Sequence, residues 1–180
     1  MLILYGSPRR DGPTARLLAA FLEGVPAGWR TRRLDVFALS PLPCDDCRYC
    51  YHQDGCSKPD LKEFYTALEE ADALLFVTPV YNRSFPAPLK ALLDRTQRYW
   101  AARFVRGVRP PISRKKQAFL LTASGSGGDD AVLVEQQLRP TLTVLNARLH
   151  PPVALTGADG GIDETPALNA ARAAAAALES

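Results

Sequence analysis

The sequence predicts an α/β domain, a three-layer sandwich. A five-stranded parallel sheet in strand order 2-1-3-4-5 lies between helices on both faces. Three observations support this. Apolar runs alternate with helix-patterned segments from one end of the chain to the other. Two central runs, Leu74-Leu75-Phe76-Val77 and Ala118-Phe119-Leu120-Leu121, are continuously apolar, as strands covered on both faces must be. The segments expected to leave strands one, three and four at their C-terminal ends are Gly6–Thr14, Pro79–Pro88 and Ala123–Asp130, all rich in Gly, Pro, Ser or Asn. In an open parallel sheet that edge is where ligands bind.

The expected strands are Met1–Tyr5, Trp29–Val36, Ala73–Thr78, Gln117–Thr122 and Arg148–Leu155. The expected helices are Thr14–Gly24, Pro59–Glu70, Ala87–Tyr99, Asp129–Leu145 and Asp163–Leu178, the last with an Ala-rich end of strong helix propensity. Residues 99–116, with Arg, Pro and Gly dispersed among aromatics, read as a long, mobile connection. A length of 180 residues suits a single domain with one core, spanning 1–180, with a Cys-rich insertion at about 40–58. A net charge of +3 without a basic block argues against a nucleic-acid partner. No apolar stretch has the length of a membrane span. Met1 leads straight into a strand with no basic leader, apolar h-region or cleavage site, so the expected location is cytoplasmic.

The first loop, Gly6-Ser7-Pro8-Arg9-Arg10-Asp11-Gly12-Pro13-Thr14, joins a buried strand to a helix start. The first turn of a helix has backbone N–H groups without intrahelical partners, which makes this junction an anion site. Ser7 and Thr14 add hydroxyl donors, Arg9 a two-pronged cation, and Gly12 a backbone with no side chain in the way. Pro13 suits the first helical position, where its missing N–H costs little. The loop lacks both G-x-x-x-x-G-K-[ST] and G-x-G-x-x-G, so a monophosphate fits better than a triphosphate or a dinucleotide, and FMN is the expected ligand. A plain helix cap with solvated Arg9 and Arg10 is the simpler alternative. After the third strand, Pro79, Val80, Tyr81 and Asn82 offer the apolar wall and amide donors that a flavin ring needs, or else form a proline-bounded turn. Ser124-Gly125-Ser126-Gly127-Gly128 follows the fourth strand, where a Gly/Ser loop can be simply a loop.

Gly6-Ser7-Pro8-Arg9…Gly12…Thr14, then Pro79-Val80-Tyr81, then Lys90-Ala91-Leu92-Leu93-Asp94-Arg95 resemble the NAD(P)H-dependent FMN reductase branch of the flavodoxin-like superfamily. The resemblance covers about residues 1 to 125. It implies an FMN phosphate held by Ser7, Arg9 and Thr14. It also implies an isoalloxazine ring against Pro79, Val80, Tyr81 and Asn82, with Ser124-Gly125 closing the far side. Pro13 departs from the family pattern, which has Asn there, and removes an N–H and an amide from the phosphate site. Asp11 beside the phosphate is unhelpful unless it points outward. Lys90, Asp94 and Arg95 read as helix-positioning residues.

All four cysteines fall in Cys44-x2-Cys47-x2-Cys50-x5-Cys56. Short C-x2-C steps let successive thiolates turn around one centre, as in iron–sulfur sites. Zinc held by four thiolates and free or transiently oxidised thiols are the alternatives. Asp45 and Asp46 would lift the thiol pKa values, which argues against a bare reactive thiol. The spacing resembles that of the iron–sulfur flavoproteins of the same superfamily, which implies a [4Fe–4S] cluster on Cys44, Cys47, Cys50 and Cys56. His52 is expected to face solvent, and His150 to be structural.

The expected activity is hydride transfer from NADH or NADPH onto flavin N5, with electrons then passed to a quinone, nitro compound, free flavin or protein acceptor. No side chain is expected to act as nucleophile or general base. An electron carrier that serves a ferredoxin-like partner is the first alternative, and a zinc-braced binding module the second. The resemblance also implies a homodimer or homotetramer. Trp100, Phe104 and the 99–116 connection would lie at its interface, or else fold back on their own domain.

Overall fold

The computed structural model describes residues 1–178. Strands β1 (Leu2–Tyr5), β2 (Arg32–Asp35), β3 (Ala73–Pro79), β4 (Lys116–Ala123), β5 (Ala147–Leu149) and β6 (Val153–Leu155) form one sheet. Its order is β2-β1-β3-β4-β5, with β6 also on β4, and every pairing is parallel. The expected order 2-1-3-4-5 is therefore observed. The expected fifth strand, Arg148–Leu155, is one sheet position broken in two: β5 pairs with the start of β4 and β6 with its end. Pro151 and Pro152 lie at the break and have no N–H to continue the ladder. The second strand is also shorter than the expected Trp29–Val36. Trp29 N–H turns back to Pro26 O, Gly28 has φ +95°, and regular pairing begins at Arg32.

Successive strand residues point to opposite faces, and each face has its own core. Ile3, Tyr5, Leu75, Val77, Phe119 and Leu121 pack against helices α1 (Pro13–Glu23) and α8 (Thr165–Ala175). Leu2, Leu4, Leu74, Phe76, Ala118 and Leu120 pack against α4 (Lys62–Glu70), α5 (Ala87–Asp94) and α7 (Asp130–Val144). Two short helices, α2 (Val36–Leu39) and α3 (Tyr49–His52), were not expected from the sequence. Lys116, buried at the start of β4, donates from Nζ to Glu69 O and Ala71 O and so closes the end of α4. Burial pushes its ammonium down to about 8.

The expected helix Ala87–Tyr99 is two helices. α5 ends at Asp94 and α6 runs over Gln97–Phe104. The Thr96 hydroxyl donates to Leu93 O at 2.6 Å, and the side chain of Arg95 turns inward with no exposed surface. Tyr99, Ala101 and Ala102 of α6 are buried, so the irregular connection is confined to about 105–115 rather than 99–116. Among the described residues no helix is long and apolar enough to cross a membrane.

Gly24, which caps the end of α1, abuts α8, where an added Cβ would overlap the backbone carbonyl of Arg172. A backbone neighbour cannot swing aside as a side chain can. Gly24→Ala is expected to destabilise the fold by about 1–3 kcal/mol, read as a lower urea midpoint at unchanged slope.

Candidate functional site

Because the strands are parallel, the loops after β1, β3, β4 and β6 leave from the same edge. They are stitched to one another there. Gly6 N–H donates to Val77 O at 2.8 Å, Val80 N–H to Ala123 O at 2.8 Å and Ser124 N–H to Leu155 O at 2.9 Å. In the first loop Ser7 and Thr14 are buried, whereas Arg9 and Arg10 are exposed. The Tyr5 hydroxyl donates to Arg9 O at 2.6 Å, and Ser7 Oγ accepts from Arg9 N–H at 3.2 Å, so the turn is braced from below. Pro13 is the first residue of α1 and Gly12 its N-cap, and no side chain caps the helix start. Arg9 and Arg10 enter none of the ion pairs among the described residues, whereas Arg16 is occupied by Glu164 at 2.5 Å. An uncapped helix start beside two buried hydroxyls and an unpaired guanidinium fits a phosphate group. Asp11 is exposed, so it does not occupy that position.

In the third-strand loop, Tyr81 and Ser84 exchange backbone hydrogen bonds of 2.9 and 3.0 Å around Asn82 and Arg83, which have φ of 51° and 62°. This is a two-residue turn of the I′ kind. It leaves Tyr81 43% exposed as a free aromatic face. α7 holds the turn in place: Arg83 pairs with Asp130 at 3.1 Å, and the Ser84 hydroxyl meets Gln137 Oε1 at 2.7 Å. In the fourth-strand loop Ser124 is buried and its hydroxyl donates to Ser126 O, while Gly125 lies open to solvent. Asp159, from the loop after β6, rests its carboxylate against Gly125 where any Cβ would collide with it.

The four cysteines sit apart from these loops, beyond the far end of α5. All four line one cavity of about 50 Å³, together with Lys58, Arg95, Gln97 and Arg98. Cys44 and Cys47 are exposed, and Cys50 and Cys56 are half-buried. Burial raises the Cys50 thiol above its ordinary value, and the neighbouring Cys56, Cys44 and Cys47 add to the effect. Among the described residues no three His, Cys, Asp or Glu side chains are gathered tightly enough to hold a metal ion unaided. Four soft thiol donors on one cavity nevertheless match an iron–sulfur or zinc centre in chemistry. Arg95 and Arg98 each carry a buried Nε without a partner.

A family model for NADPH-dependent FMN reductases matches residues 1–160. The chain belongs to that family. Its fold is flavodoxin-like. An NAD(P)H:quinone oxidoreductase from Methanothermobacter marburgensis superposes on it with a TM-score of 0.77 at 27% identity, covering 99% of this chain and 96% of that one. An FMN-dependent NADH-azoreductase from Bacillus anthracis str. Ames Ancestor, solved with FMN, shares the fold at a TM-score of 0.65 and 14% identity, over 97% of this chain and 95% of the other. Among sequence relatives, an iron-sulfur flavoprotein of Methanosarcina thermophila is 34% identical over 95 residues, 52% of this chain and 50% of that protein. An NAD(P)H:quinone oxidoreductase of Solanum tuberosum is 30% identical over 125 residues, 69% of this chain and 58% of the other. The chain spans about half the length of the first of these curated relatives.

In this member of the FMN reductase family, Ser7, Arg9 and Gly12 lie on the first loop and Pro13 and Thr14 open α1 directly behind it, while Pro79 ends β3 and Val80, Tyr81, Asn82, Ser124 and Gly125 follow β3 and β4 at the same sheet edge. His52 is exposed, and His150 stacks on Phe119 at 4.5 Å and meets Gln117 at 3.1 Å. Lys90 and Asp94 form an exposed pair along α5. Arg95 does more than position a helix, because it reaches under the cysteine loop. Tyr5, Asp60 and Asp159 escaped the sequence reading, since each acts on a residue outside any local motif. Of these only Tyr5, as the last residue of the strand before the loop, gave a local hint. Tyr5→Phe is expected to lower stability by about 1 kcal/mol in denaturant unfolding, because Arg9 O loses its closest donor.

Proposed function

We propose that the protein is an FMN-dependent oxidoreductase that takes electrons from NADH or NADPH and delivers them to a small-molecule acceptor. The observation that carries this reading is the uncapped start of α1, flanked by buried Ser7 and Thr14 and the unpaired Arg9, at the sheet edge shared with the Tyr81 turn. FMN, when bound, supplies two-electron exchange with a nicotinamide and one- or two-electron exchange with an acceptor. Ser7, Thr14 and the first-turn N–H groups would hold its phosphate, and Arg9 would neutralise it. Pro79, Val80, Tyr81 and Asn82 would wall the ring, and Ser124-Gly125 would close its far side. No side chain is required as nucleophile or general base. A quinone is the acceptor class favoured by the names of the relatives from Solanum tuberosum and Methanothermobacter marburgensis.

A second reading is favoured by the cavity that all four cysteines line. Here Cys44, Cys47, Cys50 and Cys56 hold a [4Fe–4S] cluster, with zinc as the other candidate, and the protein hands single electrons to a redox protein of ferredoxin type. The iron-sulfur flavoprotein name of the Methanosarcina thermophila relative supports it. A homodimer or homotetramer is supported by Trp100, Phe104, Val105 and Val108, which lie exposed together on α6 and the turn after it.

Freshly purified protein, kept anaerobic, is expected to show flavin absorbance that bleaches on addition of NADH or NADPH alone. Iron and sulfide assayed on the same sample are expected with a broad shoulder under the flavin bands. A colourless protein that cannot take up FMN would sink the central reading, and flavin without iron or sulfide would sink the cluster. Arg9→Ala is expected to weaken FMN retention about tenfold or more in a fluorescence titration, a charged hydrogen bond being worth about 1.5–3 kcal/mol. Arg10→Ala should leave retention nearly unchanged.

A further inference from the structure

The segment that carries the cysteines is an excursion over residues 43–57 with only α3 as regular structure. Most of its residues are exposed, and its cysteines are not drawn into a tight group by their own contacts. Its middle is tied to α6 and the turn after it by Asp54, which pairs with Arg98 and Arg106, and its neck is closed where it leaves and rejoins the fold. Both ends meet at one side chain. Arg95 donates from Nη1 to Leu42 O at 2.8 Å and from Nη2 to Lys58 O at 3.0 Å. The same two nitrogens grip the Asp60 carboxylate at 3.3 and 2.8 Å. Asp60 in turn accepts from Leu42 N–H at 2.9 Å, and Lys58 Nζ reaches across the neck to Pro43 O at 2.6 Å.

The Arg95 side chain is 0% exposed, so its charge depends on protein partners in place of water, with Asp60 as the carboxylate it grips. One donor is left over. Arg95 Nε is buried and unpartnered, and Arg95 lines the same cavity as the four cysteines, with Cys56 against the guanidinium. A buried donor without an acceptor is costly. A sulfur ligand of a metal centre would supply the missing acceptor.

We infer that Arg95 is the positioning residue of the cysteine site: it clamps Leu42 and Lys58 to close the neck of the excursion, and its Nε–H is kept for a ligand sulfur. The inference rests on the reading of the four cysteines as ligands of one metal centre. Lysine cannot replace the guanidinium, because a single ammonium lacks the planar fork that reaches two carbonyls and a carboxylate together.

The test compares wild type, Arg95→Lys and Asp60→Asn, purified anaerobically side by side. Iron, zinc, sulfide and FMN are measured per chain, and metal release to excess EDTA is followed by absorbance. Both variants are expected to keep the FMN content of the wild type. Arg95→Lys should release metal about 10–100-fold faster, the usual effect of removing a residue that orients metal ligands, and Asp60→Asn should fall between. Metal release unchanged in both variants would overturn the role of Arg95 while leaving the cysteines as ligands. Equal loss of FMN and metal would also overturn it, because Arg95 would then merely stabilise the fold. Wild type without bound metal, and unable to bind added zinc, would overturn the ligand reading and this inference with it.

Discussion

A sheet whose strands all run one way delivers every strand end to the same edge, and the candidate flavin site depends on that geometry. β1, β3 and β4 are covered on both faces, so they can slip in register only by moving apolar side chains out of two cores at once. The pairings Tyr5 with Val77, Pro79 with Ala123 and Ala123 with Leu155 therefore fix where each loop begins. The backbone hydrogen bonds of Gly6, Val80 and Ser124 then tie the first residue of each loop to the neighbouring strand. Loops that carry Gly, Pro and Ser would otherwise be free to spread. Here they start from a common, rigid line.

The second region depends on the same scaffold through a single helix. α5 begins just after the Tyr81 turn and ends at Asp94, next to Arg95. Eight residues of helix span roughly 12 Å, so the turn and the neck of the cysteine excursion are joined by one short rod. Leu89 and Leu92 bury that rod in the core beneath the sheet, which fixes its tilt. The break at Thr96 then redirects the chain into α6 and lets Arg95 point inward instead of along a helix surface.

Charge is distributed unevenly between the two regions. At the first loop Arg9 and Arg10 are exposed and enter no ion pair among the described residues. Around the cysteines the cations are already engaged: Arg95 with Asp60, Arg98 with Asp54 and Glu69, and Lys58 with Asp45. Arg98 also lies over the rings of Tyr65 and Tyr99. Such a surround holds a loop in shape and still leaves the Nε atoms of Arg95 and Arg98, two residues that line the cavity with the cysteines, without an acceptor. The exposed side chains of Trp100 and Phe104 lie next to it, with Tyr51 of the excursion 6.1 Å from the Trp100 ring.

Local sequence was enough for the strand–helix alternation, the buried character of Leu74–Val77 and Ala118–Leu121, the loop that joins β1 to α1 and the gathering of the four cysteines in one short segment. Each rests on residues close together in the chain, where periodicity, helix starts and ligand spacing are written directly. Pro151-Pro152 also stood in view, yet whether they end a strand or interrupt it depends on how β4 pairs on either side. Arg95 was visible only as a charged residue near a helix end. Its partners, Leu42, Lys58 and Asp60, lie 35 to 53 residues away, and nothing in local pattern signals a contact of that range. The same holds for Asp159 against Gly125 and for Gly24 against Arg172. Local chemistry is set by neighbours in the chain. Which side chain closes a loop, and which backbone needs a glycine, is set by how distant segments pack, and only the folded structure decides that.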